Sequence, residues 1–246
     1  LRSWRKCYAD KKDRRCERRE IVGQVRDDDG GDDMGERNPW LDLAHEDYEG
    51  HMGHVDVRQL ETLSRVFGEQ LSLVADREKS VVAVLGIAGG NGLEHVVAGR
   101  YRAVVGLDIN GEYLEICHAR YGRLSELTLH QIDLMIEKDR AVGLLAQASL
   151  VTANLLVSHI HLGNFIDIVG RLQGAVISIT IQVDFDGWSL SCSGCEGAFE
   201  DIQAHGLGHD EGQLTAAMAA VGYGMVGRYE YGLPNKKMLV RIDYAR

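Results

Sequence analysis

The sequence predicts an α/β domain built on a doubly wound sheet of seven strands, mostly parallel, with the last strand antiparallel. Three observations carry that expectation. Five short apolar or β-branched runs alternate with segments of helical period, the pattern of a parallel sheet with right-handed crossovers. The first two runs end in a glycine-rich turn and in an aspartate. The last two runs are separated only by Gly232-Leu233-Pro234-Asn235, a connection so short that it forms a hairpin and forces its strands antiparallel.

Taken in order, Asp56 followed three residues later by Gln59 resembles a helix start, and Leu60, Leu63, Phe67 and Leu71 then share one face. Val81 to Gly86 is a continuous apolar run, as for a strand buried on both faces. A glycine-rich turn and a short helix follow. Ala103 to Asp108 makes the second strand, and Asn110 to Tyr121 the helix returning from it. Leu127 to Gln131 and Ser149 to Asn154 are strands three and four, with a helix from Lys138 to Ala146 between them. Leu162, Phe165, Ile166 and Val169 fall at i, i+3, i+4 and i+7, and Ala175 to Gln182 is a β-branched fifth strand. Leu214, Ala217, Met218 and Val221 mark a helix closed by Gly222. Met225 to Tyr231 and Lys237 to Tyr244 complete the sheet.

Composition narrows the function. The 246 residues carry 27 Lys and Arg against 37 Asp and Glu, a formal charge of -10, which disfavours a phosphate-neutralising protein and hence nucleic acid as partner. Residues 1–33 hold ten basic and nine acidic side chains without apolar periodicity. That composition cannot bury enough surface to offset chain entropy, so they read as a charged, disordered extension. The extension accounts for +1 of the charge, which leaves -11 on residues 34–246, the expected single domain. No apolar run approaches the roughly 18 residues that span a bilayer, and no signal-type segment opens the chain; a soluble, cytoplasmic protein with no membrane partner is expected. Five irregularly spaced cysteines do not suggest a disulfide framework.

Gly86-Ile87-Ala88-Gly89-Gly90-Asn91-Gly92 lies between the first strand and its helix, where open α/β sheets hold ligands. Glycine lets backbone approach a ligand, and a helix start beyond Gly92 would offer free N–H groups. Asp108 ends the second strand, 22 positions after Gly86, where a carboxylate accepts both hydroxyls of a ribose. Together these indicate an adenosine-containing cofactor. A dinucleotide fingerprint requires a third, helix-packing glycine, and the register starting at Gly90 places His95 there.

The segments Leu85 to His95 and Val105 to Asn110 resemble the first and second motifs of the class I S-adenosylmethionine-dependent methyltransferases. Asn38-Pro39-Trp40 through Asp47 to Met52 is similar to the cap preceding the sheet in a bacterial group of stand-alone, small-molecule enzymes of that family. The resemblance covers residues 38–246 and implies a Rossmann-like, seven-stranded sheet with an antiparallel seventh strand. It divides the domain into a cap and helix over 34–80, a cofactor-binding core over 81–182, and a substrate-covering insertion, helix and terminal hairpin over 183–246. It implies S-adenosylmethionine as cofactor, with Gly86, Ala88, Gly89 and Gly92 around its methionine part, Asp108 on the ribose, Ile109 against the adenine and Asp133 at the adenine amine. Asn154 and Leu155 would flank the sulfonium, and Tyr48, His51 and Met52 would close over the cofactor. Where many relatives carry an acid just before the first glycine, this chain has Val84 and Leu85.

Transfer from a sulfonium is an in-line displacement that positioning and desolvation accelerate, so no base is obligatory. His51, His54, His159 and His161 are candidates, and His159 is preferred because it follows the fourth strand. Cys192, Cys195, His205 and His209 give C-x2-C-x9-H-x3-H, but the gap of nine and the glycines flanking Leu207 argue against a zinc finger, and no metal is expected. Asp184, Asp186 and Trp188 open the insertion and are candidates for substrate contact. Asn154 is followed by Leu155-Leu156-Val157 rather than the prolines and aromatic of amino-group methyltransferases, so a small-molecule acceptor is expected, handled by a monomer or homodimer. An NAD(P)-dependent oxidoreductase and a non-catalytic cofactor-binding protein are the competing readings. Deleting residues 1–33 should leave the melting temperature and ligand binding nearly unchanged in a scanning-calorimetry comparison with the full chain.

Overall fold

In the computed structural model, residues 38–74, 79–184, 196–204, 210–234 and 236–246 are described. The strands are β1 (Val81–Leu85), β2 (Ala103–Asp108), β3 (Leu127–Gln131), β4 (Leu150–Asn154), β5 (Val176–Asp184), β6 (Gly224–Leu233) and β7 (Lys237–Ala245). They form one sheet of order β3-β2-β1-β4-β5-β7-β6. Every neighbouring pair among β1 to β5 is parallel, whereas β7 lies antiparallel between β5 and β6. The order reverses between β1 and β4, the switch point at which such sheets hold ligands beyond their carboxyl ends.

The α-helices are α1 (His45–Met52), α2 (Gln59–Ser72), α3 (Gly111–Tyr121), α4 (Lys138–Leu145), α5 (Leu162–Gly170), α6 (Glu200–Ala204) and α7 (Glu211–Ala220). Helices α4, α5 and α7 cover one face of the sheet, where Phe165, Ile168 and Val169 of α5 and Leu214 and Met218 of α7 pack on Val151, Ile177, Ile179 and Ile242. Each such side chain contributes about 1.5–3 kcal/mol on burial. Helices α2 and α3 cover the other face through Phe67, Leu71, Leu114 and Cys117 against Val82, Val104 and Leu150. Burial pushes the Cys117 thiol up to about 11, so it behaves as a small apolar side chain.

Several local starts follow from side-chain chemistry. Asn110 caps α3, accepting from the amides of Glu112 (3.0 Å) and Tyr113 (3.4 Å). Asp210 and Gln213 form a capping box on α7. Helix α2 departs from the expected start: its N-cap is Arg58, at φ 53° and without a side-chain cap bond, rather than Asp56. Strand β5 runs two residues past Gln182, because β7 pairs with it as far as Asp184 opposite Lys237. Asp184 therefore belongs to the sheet rather than to the insertion; Asp186, Trp188 and the Cys192, Cys195, His205 and His209 set lie outside the described residues, as does the 1–33 extension.

The largest departure follows β1. No α-helix comes after the glycine-rich loop, only a 3-10 turn at Leu93–His95. Gly92 and Gly99 adopt left-handed backbone (φ 96° and 77°) on either side of it, and Val96-Val97 between them favours extended chain. Helix α2 fills the space instead, with Phe67 and Leu71 packed against Ile87, Leu93 and Val96. Among the described residues no helix is long and apolar enough to cross a membrane.

Gly90 has φ 85° and lies so close to α3 that an added Cβ would stand 2.8 Å from Cys117 Sγ and 2.9 Å from the Tyr121 ring. Gly90→Ala should therefore destabilise the fold by about 2–4 kcal/mol, combining left-handed strain with overpacking, as read from the midpoint of urea unfolding.

Candidate functional site

A cavity of about 1380 Å3, counting its open mouth, lies over the carboxyl ends of β1, β2, β4 and β5. Its first wall is the β1–β2 edge. The amides of Gly86 and Ile87 both donate to Leu107 O (2.8 and 3.1 Å), and the Ala88 amide donates to Asp108 Oδ2 (2.8 Å). Asp108 thereby holds Ala88 in left-handed backbone, φ 47°. Its other oxygen accepts from the Asn110 amide (2.9 Å). Burial raises the Asp108 carboxyl above its usual range, and the bonds from Asn110, Ala88 and Ile109 pull it back.

The glycine-rich loop spends its amides internally. Gly92 donates to Glu94 Oε2 (3.0 Å), Leu93 to Gly90 O (3.0 Å) and His95 to Gly92 O (2.9 Å). Of the N–H groups expected to be free beyond Gly92, those of Leu93 and His95 are thus taken up by carbonyls, and the Gly92 amide itself is taken up by a carboxylate. Gly86 and Ala88 line the cavity, whereas Gly89 and Gly92 do not. Gly89 lies under His45 and Arg120, and Gly92 against Phe67 of α2, each too close for a Cβ.

Ile109, Ile132, Asp133, Leu134 and Met135 form the slot beside Asp108. Asp133 Oδ1 accepts from the Met135 amide (2.8 Å), which fixes the carboxylate at the slot's edge. Across the mouth, the 3-10 turn Pro39–Leu41 and α1 present Trp40, Tyr48, His51 and Met52. This cap is tied down by four hydrogen bonds: Asn110 Nδ2 to Trp40 O (2.8 Å), Tyr113 OH to Leu43 O (2.9 Å) and the two of the two-pronged pair of Arg120 with Glu49. Burial and the nearby negative charge of Asp108 push the Tyr48 phenol far up, so it stays a hydrogen-bond donor. His51 packs on Phe199, ring centroids 4.5 Å apart, and Leu43 joins Phe199 and Ile202 in a small apolar cluster.

His159 lies in the wall, at the end of a 3-10 turn after β4, with its ring edge-on to Trp40 at 4.9 Å. Burial lowers its pKa to about 4, so the imidazole is neutral at pH 7. His54 and His161 do not line the cavity.

Asn154 and Leu155 reach the wall from the end of β4, but the Asn154 amide is engaged below it. Its Oδ1 accepts from Thr180 Oγ1 (2.7 Å) and Gln70 Nε2 (2.9 Å), and its Nδ2 donates to Gln70 Oε1 (3.0 Å). The network continues from Gln70 to Ser178, from Ser178 to Asp243 and on to Arg241, which also meets Glu69. The described wall also contains Gln59, Gln182 and Lys237, which the sequence reading passed over. For Gln182 the signal was the polar alternation Ser178, Thr180, Gln182 in a strand otherwise β-branched; Gln59 and Lys237 carried none. Among the described residues no group of three or more His, Cys, Asp or Glu is arranged to hold a metal.

No protein-family model and no curated protein sequence matches the chain. Solved structures do. The magnesium protoporphyrin IX methyltransferase of Synechocystis with bound S-adenosylhomocysteine superposes with TM-score 0.61 at 12% identity, over 85% of this chain and 97% of that one. The geranyl diphosphate C-methyltransferase of Streptomyces coelicolor gives 0.54 at 11%, over 77% and 83%. An S-adenosylmethionine-dependent methyltransferase of Mesorhizobium loti gives 0.52 at 14%, over 72% and 96%. The fold is that of the class I methyltransferases. The seven strands, mostly parallel with β7 antiparallel, are those the sequence predicted.

The low His159 pKa has a thermodynamic consequence. The unfolded chain takes up a proton as pH falls below the ordinary value of 6.5, whereas the folded site resists it down to about 4. The resulting stability is complete above pH 6.5 and is lost as pH falls toward 4, with His45, also lowered by burial, acting in the same direction. A series of thermal melts from pH 7.5 to 4.5 should show a shallower fall for His159→Gln than for the parent.

Proposed function

We propose that this chain is an S-adenosylmethionine-dependent methyltransferase acting on a small-molecule acceptor. The observation that carries the reading is the cavity edge formed by Asp108 and the 86–88 turn, on a loop whose Gly86, Ile87, Ala88, Gly90 and Gly92 amides already have acceptors. A dinucleotide needs open N–H groups for its pyrophosphate. Here the Gly92 amide already donates to the carboxylate of Glu94, so a phosphate would meet a like charge. A nucleoside with no phosphate suits that edge.

The residues present fit this cofactor. Asp108 would accept from the ribose hydroxyls while its amide bonds hold it in place, and Ile109, with Ile132 and Leu134 lining the same slot, would pack on the adenine. Asp133 accepts from the adenine amine. Gly86 and Ala88 leave room for the methionine part, and Tyr48, His51 and Met52 close over it. Asp108 and Asp133 are the only carboxylates among the described wall residues, so the acid missing before Gly86 has no substitute there. Leu155, beside Asn154, flanks the transfer point, where the Asn154 amide is held rigid by Gln70 and Thr180.

When bound, the cofactor supplies a methyl group on a positively charged sulfur. Trp40 and Tyr48 line the same cavity, and aromatic rings there favour a cation. His159, neutral, accepts a hydrogen bond from the acceptor's O–H and then its proton. An oxygen becomes a strong acid as it gains a methyl group, so a base of low pKa suffices. No metal and no nucleic acid enters this scheme, and the protein acts in solution as a monomer or homodimer.

Isothermal titration tests the reading. S-Adenosylhomocysteine should bind in the micromolar range and NADH should not; the reverse result would overturn the assignment. Asp108→Asn should weaken S-adenosylhomocysteine by about 1.5–3 kcal/mol, the scale of lost charge-assisted hydrogen bonds. An unchanged dissociation constant for that variant would remove Asp108 from the ribose site.

A further inference from the structure

At the end of the cavity away from Asp108, four polar side chains from three elements form a continuous chain. Gln59, at the start of α2, donates through Nε2 to Gln182 Oε1. Gln182 Nε2 donates to Asp184 Oδ1 (2.7 Å). Lys237, the first residue of β7, stands with Nζ 3.4 Å from Asp184 Oδ2. The side chains of Lys237 and Asp184 are 6% and 5% exposed, yet Lys237, Gln182 and Gln59 all line the cavity.

The direction of this chain is fixed by chemistry. An ionised carboxylate only accepts, so Gln182 must turn its NH2 toward Asp184 and its carbonyl toward Gln59. Gln59 must then present its own NH2 to that carbonyl. Each amide keeps a second N–H beyond the bond described. The ammonium of Lys237 is the only side-chain ammonium or guanidinium among the described wall residues. Met52 and Leu155, which share an apolar cluster with Leu60 and Leu239 beside this polar end, also line the cavity.

A buried ion pair is weak evidence for stability, since its desolvation offsets most of the attraction. Burial lowers the Lys237 ammonium, and Asp184 works against that shift. Fixed donors at the closed end of an apolar cavity are what orient a ligand there.

We propose that this cluster is the recognition subsite for the methyl acceptor, and that the acceptor has an apolar body ending in a carboxylate held by Lys237 and the amides of Gln59 and Gln182. The proposal rests on the methyltransferase reading for the word acceptor, but the carboxylate site stands on its own residues. The carboxylate is a handle and not the methylated atom. It sits at the β5–β7 end, while Asp108 marks the cofactor at the β2 end and His159 lies on the wall after β4. Lys237 supplies charge, and the two amides supply the directional bonds that separate a carboxylate from a chloride or a neutral oxygen.

The test uses three probes with one body: 4-phenylbutyrate, 4-phenylbutanol and 4-phenylbutylamine. Each is titrated into the full chain saturated with S-adenosylhomocysteine, and again into the protein alone. The acid should bind at least tenfold tighter than the alcohol, and the amine weakest. Removing both charges together in Asp184→Asn/Lys237→Met avoids stranding one buried ion. In that variant the acid's advantage should fall below threefold while S-adenosylhomocysteine binds within twofold of the parent. Gln182→Leu, which keeps the ion pair, should cut the acid's advantage at least threefold. Equal binding of the three probes, a preference for the amine, no binding of the acid, or an acid preference that survives both variants would each overturn the subsite. If S-adenosylhomocysteine does not bind but the acid preference appears and is lost in the variants, the subsite stands and the methyltransferase reading falls.

Discussion

The two oxygens of Asp108 hold together parts of the molecule that the sequence keeps far apart. One accepts from Ala88 and sets the left-handed turn after β1; the other accepts from Asn110. Asn110 in turn caps α3 and donates to Trp40 O in the cap. One buried carboxylate thus fixes the loop, the helix start and, at one remove, the lid over the cavity. Such a group is costly to bury, and the backbone amides that offset the cost are the ones that shape the site. The same side chain is the one the cofactor reading assigns to the ribose, so structure and binding draw on a single group.

Beneath the cavity a second principle operates. The face of β4, β5 and β7 under α2 is polar where a core face is ordinarily apolar: Thr152, Ser178, Thr180, Arg241 and Asp243 are all buried. Ser178, Thr180, Asp243 and Arg241 are linked through Gln70, Asn154 and Glu69, Thr152 donates to Ala83 O, and only Arg241 Nε among these side chains has no partner. Polar groups buried in a closed network fix geometry, because each bond has only one good partner. Asn154 is held by that network at the point where β4 meets the cavity.

The strands and the antiparallel last one were legible because buried parallel strands and a four-residue hairpin leave strong local signatures. Strand β3 and the helix after Asn110 fall where their residues indicate. The missing helix after β1 was not legible, because the glycine-rich loop matches a motif usually followed by one. What decides against it is the space already filled by Phe67 and Leu71 from an element 20 or more residues earlier in the chain. The same limit applied to the site. Asp108, Ile109, Asp133 and His159 sit at strand ends, where topology alone brings them to the cavity. Gln59 and Lys237 reach it by long-range pairing, Lys237 through its register with Asp184, which no local pattern encodes. Gly89 and Gly92 look alike in sequence to Gly86, and only the neighbours His45, Arg120 and Phe67 separate their surroundings.

The reversed direction of β7 has a consequence for how this scaffold diversifies. A parallel strand beside β5 would deliver its last residue to the ligand edge; the antiparallel one delivers its first, Lys237, directly after the hairpin turn. Turns tolerate insertion and exchange far better than strand interiors. The cavity end near β1 and β2 is therefore inherited with the most constrained backbone in the chain, and the opposite end with some of the most permissive. Mutation can retune one half of the pocket in small steps while the other half stays as it is.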